Sequence, residues 1–107
     1  MFFITGNKLH FLDGTEWSIG RSANNDIVIG DKQVSRHHAI LRRSGLIFTI
    51  EDLASFNGVR VNRRRVKSSE LHGGEIIKIA SIECRLSAHP NSETTAIESP
   101  LLKETQP

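Results

Sequence analysis

The chain has 107 residues, the length of one domain, and its 37% hydrophobic and 24% charged residues are typical of a chain that folds. The net charge of +2 is uneven: residues 1–87 carry 13 Lys and Arg against 9 Asp and Glu, so the expected partners of this part are anionic. A single cysteine, Cys84, excludes an internal disulfide and a four-cysteine zinc site, and no apolar run approaches the roughly 20 residues that cross a bilayer. We therefore expect a cytoplasmic protein that has no membrane partner.

Short stretches in which apolar and polar residues alternate follow one another through residues 1–87. Ile82, Cys84 and Leu86 alternate with polar residues, as a strand with one buried and one solvated face requires. In chain order, the predicted strands are residues 2–5, 8–12, 16–19, 26–29, 38–42, 47–51, 59–62, 75–79 and 82–87. Turn sequences rich in Gly, Asn, Asp and Ser separate them. About ten short strands in one domain indicate an all-β protein, an antiparallel β-sandwich or a small barrel.

The end of the chain differs in composition from the rest. All three prolines lie within residues 88–107, and the same segment is rich in Ser, Thr and Glu and has no steady apolar period. We predict one domain over residues 1–87 and a flexible C-terminal tail over residues 88–107.

Three loops of the predicted sandwich, residues 20–26, 32–38 and 53–59, carry groups that a partner would contact. Arg21 and Arg36 each offer a planar fork of donors suited to a phosphate or carboxylate, and Ser35 offers a hydroxyl donor. Asn57 carries both a donor and an acceptor, which suits it to binding the backbone amide of another chain. Gly58 permits the turn that presents Asn57, although an Asn-Gly pair alone indicates no more than a tight turn.

The order and spacing of these groups form a longer pattern. Gly20-Arg21 is followed by Ser35, fourteen residues after the arginine, in S-R-x-H, and then by S-x-N-G and V-x-V-N. Together with "DIVIGDKQVSRHHAI", "IEDLASFNGVRVN" and "LHGGEIIKIA", this pattern resembles the forkhead-associated (FHA) domain family over roughly residues 15–87. The resemblance implies an FHA-like antiparallel β-sandwich of about eleven short strands with the ligand loops at one end. It also implies a signalling adaptor that binds phosphothreonine-containing proteins or peptides downstream of a Ser/Thr kinase.

The resemblance also implies a role for individual residues. Those expected to contact the ligand are Arg21 and Ser35 at the phosphate with Arg36 nearby, and Asn57 at the ligand backbone. Gly20 and His38 are scaffold positions, the first for a turn and the second for hydrogen bonds that tie the loops together. Gln33 is our candidate for contacting the ligand side chain three positions after the phosphothreonine.

The paired histidines in "VSRHHAI" raise the question of other chemistry. His37 and His38 should point to opposite faces of a strand, so they cannot easily share a metal ion. Ser35 lacks an evident acid partner, and nothing like the G-x-S-x-G motif of hydrolases is present. We expect no catalytic residue, no metal and no cofactor, and therefore no enzyme.

Phe56 departs from the family pattern, which usually has threonine at this position of the third loop. Phenylalanine cannot donate a hydrogen bond to phosphate. One interpretation is that phosphopeptide binding is retained and Phe56 changes the specificity or folds back onto its loop. The alternative function is a protein-interaction or assembly domain of the same fold that no longer requires phosphate.

Arg63, Arg64 and Arg65 follow Asn62, where the family often has glycine, and they should form a basic hairpin tip. The simplest interpretation is a solvated turn; the sharper one is a patch for nucleic acid or an acidic protein. A basic nucleic-acid-binding domain is the third and least favoured function, because no aromatic residues interleave with these arginines.

Thr94 and Thr95 stand beside acidic residues in the tail and are candidate phosphorylation sites. A phosphate on either could occupy a phosphothreonine pocket of the same or a neighbouring chain. The alternative is an inert tail or a linker, and the sequence leaves the oligomeric state open.

Overall fold

The alternating stretches of the sequence form short strands joined by tight turns. The computed structural model describes residues 1–88, which contain eleven strands and no helix. The strands are β1 Phe2–Thr5, β2 Lys8–Phe11, β3 Glu16–Gly20, β4 Ile27–Val28, β5 Ala39–Ser44, β6 Ile47–Asp52, β7 Val59–Val61, β8 Arg64–Val66, β9 Ser68–Leu71, β10 Ile77–Ile79 and β11 Ile82–Ser87. Nothing in this part of the chain is a helix long and apolar enough to span a membrane.

The strands form two sheets. One has six strands in the order β2-β1-β11-β10-β7-β8, and the other has five in the order β4-β3-β5-β6-β9. Neighbouring strands are antiparallel except β3 and β4, which pair in parallel with Ile19 opposite Ile27. The predicted fold class is confirmed.

The core lies between the two sheets and is built from the inward residues of both. Trp17 of β3 stacks on Phe48 of β6, with ring centroids 6.2 Å apart. The fully buried aliphatic and aromatic side chains from the two layers include Phe3, Ile19, Leu41, Ile50, Val59, Ile77 and Ile79. Because successive residues alternate between the faces, the polar residues between them are left on the outer surfaces.

Nine of the eleven strands fall where the alternation predicts them, with ends that differ by up to two residues. The prediction misses β8 and β9, which have too few apolar residues to show a period. One placement is wrong: His37 and His38 precede β5, which begins at Ala39. The predicted tail lies beyond the described residues except for Ala88, so its boundary stays a prediction.

Candidate functional site

The strand register brings three loops to one end of the sandwich. Ile19 near the end of β3 is opposite Ala39 at the start of β5, and Ala39 is opposite Asp52 at the end of β6. Three loops are attached to these strand ends and therefore meet there: residues 21–26 follow β3, residues 29–38 lead into β5, and residues 53–58 follow β6. They contain the residues that the sequence singles out for ligand binding.

Arg21 is fixed against the second loop by its backbone and its side chain. Its N–H donates to the carbonyl oxygen of Ser35 at 3.0 Å, and its Nε donates to that of Val34 at 2.9 Å. Its two terminal nitrogens have no partner among the described residues, and neither Arg21 nor Arg36 forms an ion pair with a described carboxylate. Arg21 thus presents unused cationic donors at this end of the molecule.

Ser35 links the second loop to the third. Its Oγ accepts a hydrogen bond from the backbone N–H of Phe56 at 3.2 Å, and the residue is half-buried. Because the oxygen accepts this bond, the hydroxyl hydrogen remains available for another acceptor.

Gly20 packs directly under the second loop. A Cβ at this position would lie 2.1 Å from the carbonyl oxygen of Arg36 and 2.8 Å from Nδ2 of Asn25. The close approach explains why a residue without a side chain occupies the end of β3.

The side chain of Arg36 is exposed, whereas its carbonyl oxygen accepts bonds from Asn25 Nδ2 at 2.7 Å and from the N–H of Ser22.

His38 lies beneath the three loops and is fully buried. Its Nδ1 accepts a hydrogen bond from the N–H of Ser35 at 3.0 Å, and its Nε2 donates to the carbonyl oxygen of Gly58 at 2.8 Å. These partners assign the neutral Nε2–H tautomer, because an N–H can only donate and a carbonyl can only accept. His37, by contrast, is exposed and its Nδ1 lies 3.4 Å from Oδ1 of Asn25.

Asn57 bridges the third loop to the second. Its Nδ2 donates to the carbonyl oxygen of Gln33 at 2.7 Å, while the side chain of Gln33 is exposed. One N–H and the Oδ1 of Asn57 remain for a ligand. Gly58 has a φ of +81°, the left-handed backbone that glycine adopts without strain.

Phe56 points away from the molecule, with 88% of its surface exposed. It therefore does not fold back onto its own loop, which corrects one interpretation of this position. An exposed aromatic ring beside Ser35 and Asn57 is a ready apolar contact for a bound chain.

Sequence reasoning missed Asn25. This residue is buried, and its Nδ2 donates to the carbonyl oxygens of both Ser22 and Arg36, so it ties the first loop to the second. The signal was present in "SANND", but Asn in a turn is ordinarily assigned to the turn itself. Ser55 has a comparable role within the third loop, since its hydroxyl accepts the N–H of Gly58 at 2.9 Å.

No group of three or more His, Cys, Asp or Glu side chains lies together within residues 1–88 in a way that could hold a metal ion. The candidate phosphorylation sites, Thr94 and Thr95, lie outside the described residues.

Two of the curated proteins to which the chain is similar are named as regulators and come from mycobacteria. The transcriptional regulatory protein EmbR of Mycobacterium tuberculosis is 44% identical over 81 residues, which is 75% of this chain and 21% of EmbR. The glycogen accumulation regulator GarA of Mycolicibacterium smegmatis is 37% identical over 82 residues, 77% of this chain and 52% of GarA. The chain thus spans about half or less of these relatives.

Solved structures show the same fold. A structure from a study of phosphothreonine-dependent FHA domain interactions matches 83% of this chain and 96% of its own, with a TM-score of 0.76 and 27% identity. Mycobacterium tuberculosis EmbR in complex with a low-affinity phosphopeptide matches 78% of this chain and 23% of its own, with a TM-score of 0.74 and 33% identity.

The model of the FHA domain family matches residues 17–80, more than half of the chain. This range includes all three loops and every predicted contact residue from Arg21 to Asn57. FHA domains are modules that bind phosphothreonine peptides, which agrees with the resemblance in the sequence. The chain belongs to the FHA domain family.

Proposed function

We propose that the three-loop end of this domain binds a phosphothreonine peptide, with the phosphate held by Arg21 and Ser35 and with Arg36 close by. The observation that carries the proposal is the pair of hydrogen bonds from Arg21 to the carbonyl oxygens of Val34 and Ser35. They hold a guanidinium with unused donors beside a loop whose serine hydroxyl is free to donate.

The chemistry of the site favours phosphate over other anions. A phosphothreonine carries about −1.5 to −2 charges at neutral pH and three acceptor oxygens. The terminal nitrogens of Arg21 and the hydroxyl of Ser35 supply several donors to one anion, and each charge-assisted bond contributes about 1.5–3 kcal/mol. Loss of translational freedom offsets part of this gain, so the expected affinity is micromolar, about −8 kcal/mol.

The rest of the ligand is contacted by the third loop and by Gln33. Oδ1 and the remaining N–H of Asn57 can bond the peptide backbone beside the phosphorylated residue. The exposed side chains of Gln33 and Phe56 flank this point from two loops and would select the neighbouring ligand residues.

The domain acts as a signalling adaptor that brings proteins marked by a Ser/Thr kinase to another binding partner, and it performs no chemistry itself. Its relatives EmbR and GarA are regulators, which supports this role. We place the domain in the cytoplasm, where an unpaired cysteine such as Cys84 stays reduced, and its phosphorylated partner would be found there as well.

The test is the affinity of the wild type and Arg21→Ala for one phosphothreonine peptide, measured by fluorescence anisotropy. Loss of the Arg21 contacts should weaken binding at least about tenfold, the equivalent of one charge-assisted hydrogen bond. The control is Arg43→Ala, which removes an arginine of β5 outside the three loops and should leave the affinity unchanged. Equal affinities of the wild type and Arg21→Ala would contradict the proposed site.

A second candidate function, binding without phosphate, is favoured by one observation, the 88% exposure of Phe56. The unphosphorylated form of the same peptide separates the two functions. If it binds as tightly as the phosphorylated form and Phe56→Ala abolishes both, the domain is a phosphate-independent interaction module.

A further inference from the structure

The outer face of the six-stranded sheet carries a row of cations that the phosphate site does not use. Arg60 of β7 is opposite Arg65 of β8 on one side and Lys78 of β10 on the other. The neighbours of Arg60 and Lys78 along their strands, such as Val59 and Ile77, are buried in the core. The alternation of a strand therefore turns these three cations to the outer surface.

A groove of about 500 Å³ lies over Arg60 and Lys78 of this row. It is lined by Arg60, Asn62, Arg63, Ile76, Lys78 and Glu83. Three of the six residues are cations and one is a carboxylate, and Ile76, which is 49% exposed, adds an apolar surface. A groove of this composition suits an acidic ligand that also has apolar groups.

The cations of the groove have no ion-pair partner among the described residues. Glu83 is opposite Lys78 in the register, yet the two form no ion pair, and none is formed by Arg60, Arg63 or Arg65. On the other sheet, Arg42 is paired with both Glu16 and Glu51. The outer face of the six-stranded sheet thus carries several positive charges that no described carboxylate neutralises.

Arg65 connects this face to the ligand loops. Its guanidinium lies over Gly58, so that a Cβ on the glycine would be 2.5 Å from Nε and 2.7 Å from Cζ. Gly58 follows Asn57 directly, and the three residue steps from Asn57 to Arg60 span at most about 10 Å even when fully extended. An extended peptide of a few residues spans that distance.

We propose that the groove around Arg60 and Lys78 is a second binding surface, which takes an acidic segment of the same protein whose phosphothreonine occupies the loops. This inference rests on the proposed function, since the segment is delivered by the phosphothreonine. The ligand class is then a phosphothreonine flanked by a run of Asp or Glu, and the two surfaces bind one chain at two points.

An acidic peptide fits this surface better than a nucleic acid does. The groove residues include no aromatic ring on which a base could stack. Glu83 would also repel a phosphate backbone that follows the row, whereas a peptide can place a neutral residue there.

The experiment compares three phosphothreonine peptides in fluorescence anisotropy: one with uncharged flanks, one with four glutamates before the phosphothreonine, and one with four after it. Binding to the wild type is compared with binding to Arg60→Gln/Lys78→Gln. The matched control, Lys8→Gln/Arg43→Gln, removes the same charge from other parts of the surface. An unphosphorylated tetraglutamate peptide and a ten-nucleotide single-stranded DNA complete the set.

One acid-flanked peptide should bind the wild type and the control about five- to tenfold more tightly than the uncharged peptide, the sum of a few exposed ion pairs. In Arg60→Gln/Lys78→Gln this gain in affinity should vanish, while the affinity for the uncharged peptide stays within about twofold of the wild-type value. In the wild type, 0.5 M salt should reduce the gain, because salt screens exposed charges. Equal affinities for all three peptides, or a gain that persists in the double variant, would overturn the inference.

The outcome also distinguishes this surface from the phosphate site. If no phosphothreonine peptide binds detectably but tetraglutamate binds in a manner that requires Arg60 and Lys78, the proposed function fails and the acidic-ligand surface stands. If DNA binds through these two residues more tightly than any acidic peptide, the surface belongs to nucleic acid and the inference is wrong.

Discussion

His38 determines the shape of the site although it contacts no ligand position. Its ring joins Ser35 in the second loop to Gly58 in the third, and its backbone bonds Ile19 and Leu53. A buried imidazole that satisfies both ring nitrogens is a rigid connector, since loss of either bond leaves a buried polar group unpaired. The hydroxyl of Ser35 is thus positioned from below by a residue that is inaccessible from above.

Phe56 is the residue whose replacement should strengthen the phosphate site. In Phe56→Thr, the backbone N–H that bonds Ser35 is kept, and a hydroxyl donor is added where 88% of the ring is exposed to solvent. We expect affinity for a phosphothreonine peptide to rise about three- to tenfold, the value of one hydrogen bond to a charged group less its ordering cost. Isothermal titration calorimetry measures this change.

The control for Phe56→Thr is Phe56→Val, which has a similar branched shape but no hydroxyl. If both variants bind the phosphopeptide more tightly, removal of the ring and not the new donor is responsible. If Phe56→Thr binds more weakly than the wild type, the phenyl ring itself contacts the ligand.

At the level of single residues, the sequence pointed to the charged and polar groups of the three loops more readily than to the residues that hold those loops together. Arg21, Ser35 and Asn57 stand in loops as charged or polar groups at spacings that resemble a known family. Asn25 is equally important to the geometry, yet its role depends on the position of the carbonyl of Arg36, eleven residues away. Such a bond is set by tertiary packing and leaves no local pattern.

The β7–β8 hairpin carries backbone strain at its tip. Asn62 and Arg63 have φ values of +50° and +73°, as a two-residue type I′ turn requires. Asn tolerates this conformation, whereas a longer side chain such as that of Arg63 costs about 1–2 kcal/mol there. Of the three arginines predicted to form the tip, Arg63 lies in the turn, whereas Arg64 and Arg65 belong to β8, so the prediction is wrong for these two.

Arg63→Gly should relieve this strain. The gain is partly offset by the greater backbone entropy of glycine in the unfolded chain, so we expect the free energy of unfolding to rise by about 0.5–1 kcal/mol. Urea denaturation should show a higher midpoint with an unchanged m-value. The matched change Arg64→Gly, in a strand with ordinary φ, should lower the midpoint, and equal effects of the two substitutions would contradict the assignment of strain to residue 63.

At the level of elements, strands were predictable where one face is buried. The inward residues of β3, β7 and β11 alternate with polar ones, and this period is visible in the sequence. By contrast, β8 is at the edge of its sheet and β9 at the edge of the other, where few side chains are buried. Such edge strands are defined by their backbone hydrogen bonds to the neighbouring strand, and the sequence alone does not show which segments pair in this way.

In the six-stranded sheet, β11 lies between β1 and β10 and carries the single cysteine of the sequence near its middle. Cys84 is opposite Thr5 on one side and Ile77 on the other, and it is only 2% exposed. Burial raises the pKa of its thiol from 9.0 to about 12. Access to the sulfur therefore requires β11 to separate from both neighbours, which amounts to opening the whole molecule.

The native protein should react with a thiol reagent at neutral pH only as fast as it unfolds, because the thiol is both protonated and inaccessible. In 8 M urea the same reagent should label Cys84 at the rate of a free cysteine. Rapid labelling of the folded protein, with its far-UV circular dichroism unchanged, would show that β11 opens locally and would contradict this account.

The same pKa shift makes stability depend on pH in the alkaline range. Below pH 9 the thiol is protonated in both the folded and unfolded chains, so it adds no pH dependence. Above pH 9 the unfolded chain releases this proton while the folded chain retains it up to about pH 12, so the unfolded state gains stability by roughly 1.4 kcal/mol per pH unit. The difference in unfolding free energy between the wild type and Cys84→Ala should shrink by that amount per unit between pH 9 and 10.5. A difference that stays constant would mean that the thiol ionises as readily in the folded protein as in the unfolded chain.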